Sequence, residues 1–292
     1  MQLRTFMPLW GLSGPPLGEV LGRIADAGYD GLEGPAPEFM ATLGWSTARE
    51  AQRLPELLAE HGLEYRVMIF THTPDFSTRW GGIDLAPDAT HVSTFDRQLD
   101  DALSAGACAV TLHGGADRFG PDEARAFIEH TLTRQEEVGV TIAHETHRMR
   151  ILYNPFRTAA LLEEYPSLRI VADFSHWVCV CERLLDDCAA ELALACSRAD
   201  HIHGRVGFPQ GPQVNDPSAP ENGPALEAHE AWWAQIVAEH SARGEDVITF
   251  DPEYGPPDYM PVLPFTAQPV SDLWSVRSWA VERFSRQLGE PA

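Results

Sequence analysis

At 292 residues the chain is long enough for two ordinary domains or for one large barrel, and its 44% hydrophobic and 22% charged residues are those of a globule with a sizeable core. Forty-three acidic against 21 basic residues leave a formal net charge of −22, which repels polyphosphate. Nucleic acid is therefore not an expected partner, no twenty-residue apolar run or apolar leader points to a membrane, and the five cysteines, an odd number, fit structural thiols in a reducing cytoplasm.

Leu3 to Trp10 reads as an opening strand, and Leu17 to Ala27 as a helix closed by Gly28, a usual residue at a helix C-terminus. Gly31 to Glu33 is the second strand. Gly34 to Trp45, with two prolines, reads as a loop or short insertion, and Thr47 to His61 as one helix. Glu64 to Phe70 is the third strand and ends near His72. The stretch from Thr73 to Thr90 is long for a structureless connection, and loops of that length are usually functional.

Val92 to Ala105 is helical, Ala109 to Leu112 a strand that stops at His113, and Pro121 to Val138 a helix with proline at its start. Strands at Thr141 to Glu145 and Ile170 to Ala172 are separated by a helix from Pro155 to Tyr165. A helix from Glu182 to Ser197, a strand at His201 to His203, a helix from Ala225 to Ser241, a strand at Asp246 to Phe250 and a helix from Ser271 to Leu288 complete the chain. Eight strands alternating with helices require crossover connections and a parallel sheet. At this length they close best as a single-domain α/β (β/α)8 TIM barrel spanning residues 1–292. The Pro/Gly-rich segments Gly207 to Pro224 and Gly255 to Pro269 follow strands seven and eight, on the side of a barrel where loops carry function.

The stretch Val171-Ala172-Asp173-Phe174-Ser175-His176-Trp177 ends a buried strand on a carboxylate followed three residues later by an imidazole. Capping of the next helix is the plain reading of Asp173. Three other strands also end on residues that ligate metals, however. Glu145, Asp173, His203 and Glu253 end strands five, six, seven and eight, and strand ends of a barrel converge on one axis. Three carboxylates packed together repel one another, so a divalent cation is the simplest compensation, and three oxygen ligands with one nitrogen favour Mn2+ or Mg2+, with Zn2+ or Co2+ as further candidates. Glu145 and Glu253 form the natural opposed acid and base pair.

In Ala143-His144-Glu145, Asp173-Phe174-Ser175-His176, His201-Ile202-His203 with Arg205, and Pro252-Glu253, the chain resembles the xylose-isomerase-like barrel superfamily of sugar isomerases and epimerases, which includes tagatose-type 3-epimerases and inosose dehydratases. The resemblance runs through nearly the whole length by strand order. It implies that Glu145, Asp173, His203 and Glu253 hold the metal and that His176 and Arg205 touch substrate oxygens. It implies isomerase or epimerase chemistry on a small sugar, sugar phosphate or cyclitol through an enediolate. Where relatives often carry Lys or Asp just after the strand-seven histidine, this chain reads Gly204-Arg205-Val206-Gly207.

Other readings use much the same residues. A dehydratase would expel a β-hydroxyl after enolisation, and an apurinic-endonuclease-like phosphodiesterase would use His72 and His113 as further ligands. That family carries an additional Asp-x-His pair, whereas Pro209 to Asp216 contains no histidine. A barrel that only binds a sugar would have no need for two opposed carboxylates. His72 and His113, at the ends of strands three and four, either contact substrate or are hydrogen-bonded packing. His144 is expected to point away from the pocket and His201 to do likewise; Glu33 is a candidate pocket residue. His147 and Arg148 either bind a carboxylate or phosphate or form a solvated loop pair. Trp10, Trp80 and Trp177 could wall a sugar site or fill the core, and Trp232, Trp233, Trp274 and Trp279 suit packing or the contact of a homodimer or homotetramer.

Overall fold

The computed structural model describes residues 1–72, 74–75, 82–83 and 90–289. Chain order begins with β1 (Gln2–Pro8), α1 (Leu17–Asp26), β2 (Gly31–Pro35), α2 (Pro37–Thr42), α3 (Ala48–Gln52), α4 (Leu54–His61) and β3 (Glu64–Phe70). Two short strands, β4 (Pro74–Asp75) and β5 (Gly82–Ile83), pair antiparallel within the long connection. The chain continues with α5 (Thr90–Ser104), β6 (Ala109–His113), α6 (Pro121–Val138), β7 (Ile142–Glu145), α7 (Pro155–Glu164), β8 (Arg169–Ala172), α8 (Phe174–Cys181) and α9 (Ala189–Arg198). It ends with β9 (Ala199–His203), α10 (Gly223–Ala242), β10 (Val247–Asp251) and α11 (Leu273–Gln287).

The order β1-β10-β9-β8-β7-β6-β3-β2 closes one barrel, the (β/α)8 architecture read from the strand and helix alternation. Pairings such as Phe250↔Ile202 and Ile69↔Leu112 are parallel. The chain divides into two compact units, one of Met1–Thr5, Thr146–Arg148 and Leu152–Ala292, the other of Phe6–Glu145 and Met149–Ile151. In the first, Phe250 stacks on Phe284 at 4.4 Å and Trp233 meets Phe250 edge-on, so β10, α10 and α11 share one aromatic seam. In the second, Phe95 and Phe127 pack α5 on α6.

Three local expectations are corrected. The predicted helix from Thr47 to His61 breaks at Arg53: Pro55 has no N–H to donate, so a new helix starts there, while Thr47 and Glu50 form a reciprocal capping box for α3. The stretch read as a loop from Gly34 to Trp45 contains α2, begun by Pro37. The helix expected from Glu182 begins only at Ala189, because α8 precedes it and ends on Glu182 in the left-handed conformation at φ 54°. Trp177 is fully buried in the core, its Nε1–H donating to the Leu152 carbonyl at 2.9 Å, and Trp232 and Trp233 are buried as well. Trp80 lies outside the described residues.

Candidate functional site

In the first unit, β8 delivers Asp173 to the start of α8. One carboxylate oxygen, Oδ1, accepts from the Ser175 N–H at 3.0 Å and from the Ser175 hydroxyl, so the helix-capping reading is correct for that oxygen. The other, Oδ2, accepts from Arg205 Nε and Nη2 at 3.0 and 2.7 Å. The same Nη2 donates to Glu253 Oε2 at 3.0 Å, and that oxygen lies 2.5 Å from His203 Nδ1. His176, one turn into α8 from Asp173, places Nε2 3.5 Å from Asp173 Oδ2 and 3.3 Å from Arg205 Nη2.

Asp173, His203 and Glu253 each offer one ligand atom, all within 4.8 Å of one another, and all three side chains are buried. This donor set fits a hard divalent ion. The structure adds what the sequence did not suggest: a buried guanidinium already stands between the two carboxylates as a counter-charge, leaving one negative charge of the pair unbalanced. A glycine two residues after Arg205 sits against the turn that carries Asp173. A Cβ at Gly207 would lie 2.6 Å from the Ser175 carbonyl, so only glycine lets the segment press against the Asp173 turn. The following loops are locked together, Gln213 exchanging hydrogen bonds with Gly255 at 3.0 and 2.6 Å and Tyr254 donating its hydroxyl to Val214 O at 2.7 Å.

Around this centre, His147 lies against His176 with ring centroids 3.8 Å apart. The ring of Tyr259, in the loop after β10, has the Arg205 guanidinium over it at 4.9 Å and that of Arg148 at 5.2 Å. Tyr259 was not singled out from sequence, because nothing local marks one tyrosine in a Pro/Gly-rich segment. His201 corrects its expectation. Two residues before His203 on one strand, it lies on the same face, 5.3 Å from His203 by ring centroids and bonded to Thr249 at 2.6 Å.

In the second unit, Glu145 ends β7 and is buried, its Oε2 2.6 Å from His113 Nδ1 at the end of β6. Phe70 stacks on the His113 ring at 4.3 Å. Arg150, missed in the sequence reading, donates from Nη1 to His72 Nδ1 at 2.9 Å. A guanidinium cannot accept, so the His72 proton sits on Nε2. Glu33 belongs to a buried network, accepting from the Thr111 hydroxyl, with Arg66 at 3.9 Å. His144 faces the helix layer as expected, bonded to Thr131 of α6 at 2.9 Å.

Burial, reinforced by Arg150, pushes His72 down to about 3, and burial alone pushes His144 down to about 4. In the first unit, burial does the same to His229, also to about 4. Each is neutral when folded and regains an ordinary value near 6.5 when unfolded. Between those values the unfolded chain binds more protons, so stability rises with pH there and is lost as pH falls from 6.5 toward 4. Denaturant midpoints measured from pH 7.5 down to 4.5 are expected to drop steadily below about pH 6.5; a flat profile would mean that these histidines are charged in the folded protein.

No described helix is long and apolar enough to cross a membrane. The family model for xylose isomerase-like TIM barrels matches residues 21–283. No curated protein matches the chain by sequence. Among solved structures, the chain is similar to D-allulose 3-epimerase from Methylomonas sp. in complex with D-allulose, with a TM-score of 0.60 at 15% identity over 98% of this chain and 97% of that one. It is also similar to the probable 3-DHS dehydratase AsbF from Bacillus anthracis, with a TM-score of 0.56 at 12% identity over 97% and 98% of the two chains. An AP endonuclease, family 2, from Brucella melitensis gives a TM-score of 0.53 at 14% identity over 87% of this chain and 93% of that one. At these identities the likeness is one of fold.

Proposed function

The chain belongs to the family of xylose isomerase-like TIM barrels, and on that premise we propose that it is a divalent-metal-dependent isomerase or epimerase of a sugar, sugar phosphate or cyclitol. In this reading Asp173, His203 and Glu253, together with Glu145 from the end of β7, hold one cation, Mn2+ or Mg2+ by the hardness of the donors. The observation that carries it is the close grouping of the buried ligand atoms of Asp173, His203 and Glu253. Charge supports it as well: the carboxylates of Asp173 and Glu253 share the guanidinium of Arg205, which leaves one negative charge of the pair over for a cation.

When bound, the cation supplies positive charge to the carbonyl and hydroxyl oxygens of the substrate. The residues of the chain do the rest. Glu145 and Glu253 act as base and acid on opposite sides of the carbon beside the carbonyl, removing one proton and returning another to the enediolate. Return to the opposite face gives the epimer, and return to the neighbouring carbon gives the isomer. Arg205 and His176 hold substrate oxygens, and Arg205 keeps the Asp173 and Glu253 carboxylates in place.

Protein loaded with Mn2+ and incubated with a panel of ketoses in D2O is expected to place deuterium on the carbon beside the carbonyl. Loss of water in place of exchange would make the protein a dehydratase, the activity named for the Bacillus anthracis neighbour. Binding without either would leave a sugar-binding barrel.

A further inference from the structure

Arg148 is one of the residues singled out from sequence that the proposed chemistry does not use. It follows β7 by three residues, is half-buried, and lies with its Cζ 5.2 Å from the centroid of Tyr259. Among the described residues no carboxylate pairs with it. In a chain with 43 acidic and 21 basic residues, this half-buried guanidinium thus keeps its charge free of the carboxylates of the described residues. The Tyr259 ring is its neighbour, and a cation–π contact leaves the N–H donors of a guanidinium for a planar or tetrahedral oxyanion.

Its place relative to the centre is fixed by the same ring. Tyr259 has Arg205 at 4.9 Å as well, and Arg205 bonds Asp173 and Glu253. The two guanidiniums are thus no further apart than the sum of their distances to one ring, a span that a short polyol chain covers. Their electrostatic roles differ. Arg205 is committed to two carboxylates, whereas the charge of Arg148 is not. His147, the neighbour of Arg148, turns its ring onto His176 and bonds its Nδ1 with the Arg148 carbonyl, which fixes the backbone that carries the guanidinium.

We propose that Arg148, lying over the Tyr259 ring, is a subsite for an oxyanion on the substrate, so that the sugar carries a carboxylate or phosphate at the end remote from the reacting carbons. This rests on the sugar isomerase or epimerase reading and narrows its substrate class to anionic sugars. A guanidinium that only staples the loop to Tyr259 would affect stability without distinguishing a neutral ligand from a charged one.

The test is calorimetric titration of Mn2+-loaded protein with D-fructose, D-fructose 6-phosphate and D-fructuronate as probes. At least one anionic probe is expected to bind about tenfold or more tighter than D-fructose, the gain of one charge-assisted hydrogen-bonded pair. Phosphate over carboxylate, or the reverse, identifies the group. In Arg148→Met the advantage collapses to about twofold or less, and Arg148→Lys retains part of it through charge without the fork. Equal binding of neutral and anionic probes by the native protein, or an advantage that survives in Arg148→Met, overturns the subsite.

Mn2+ uptake is measured in the same samples. If none is taken up, the metal-dependent reading fails separately, and the subsite is then judged on cation-free protein by thermal shift with inorganic phosphate and with malonate. A rise in unfolding temperature with either anion that is absent in Arg148→Met upholds it, and no rise overturns it. The same two anions decide the case if Mn2+ binds but none of the sugars does.

Discussion

Glu253→Gln is expected to lower affinity for Mn2+ by at least about 100-fold, the upper end of what losing even an outer partner of a metal ligand costs. The substitution keeps shape and one carbonyl acceptor, so His203 and Arg205 retain something to bond, but it removes the charge that a hard cation needs. Asp173→Asn should behave alike for a related reason. An amide oriented to keep accepting from Ser175 through Oδ1 turns its nitrogen toward Arg205, where Oδ2 stood. Electron paramagnetic resonance of free Mn2+ in titrations of the native protein and both variants reads the loss directly, and thermal unfolding shows whether either variant folds. Undiminished Mn2+ affinity in both, with the fold intact, would remove the metal from the proposal. Proton exchange with ketoses should fall with the metal, because Glu253 serves in both roles.

Much of the site can be read from the sequence because a barrel converts remote strand ends into neighbours. Once the alternation of strands and helices predicts closure, Asp173, His203 and Glu253 need only their places at strand ends to be grouped, and their ligand atoms do lie together. What the sequence hides depends on side-chain reach and loop path. Arg205 was assigned to substrate oxygens by resemblance, but only coordinates show it bonded to two carboxylates, because its long side chain decides that after the backbone is set. The tautomer of His72 depends on Arg150, 78 residues away, and no local pattern joins them. His201 was misassigned although the two-residue period that placed His144 correctly also puts His201 beside His203. The break at Arg53 was legible in Pro55, but the apolar spacing over Thr47 to His61 outweighed it.

Arg205→Met should destabilise the cation-free protein by about 3–5 kcal/mol, the usual cost of removing one partner from a buried ion pair and leaving the other uncompensated. Two carboxylates would be left, both buried, with ligand atoms within 4.8 Å of each other. Methionine replaces much of the side-chain volume, so lost packing contributes less than lost charge. At this chain length the unfolding temperature should fall by about 6–20 °C. The informative part is the response to Mn2+. A cation that binds the folded state stabilises it according to its concentration over its dissociation constant. With the guanidinium gone, Mn2+ is the remaining source of positive charge between Asp173 and Glu253, so it should raise the unfolding temperature of the variant by more than that of the native protein. If cation-free Arg205→Met unfolds with the native protein, the ion pairs at 2.7 and 3.0 Å hold nothing together. If instead the variant is destabilised and Mn2+ restores none of the loss, Asp173 and Glu253 are a structural ion-pair site, and the charge argument for a cation beside Arg205 fails.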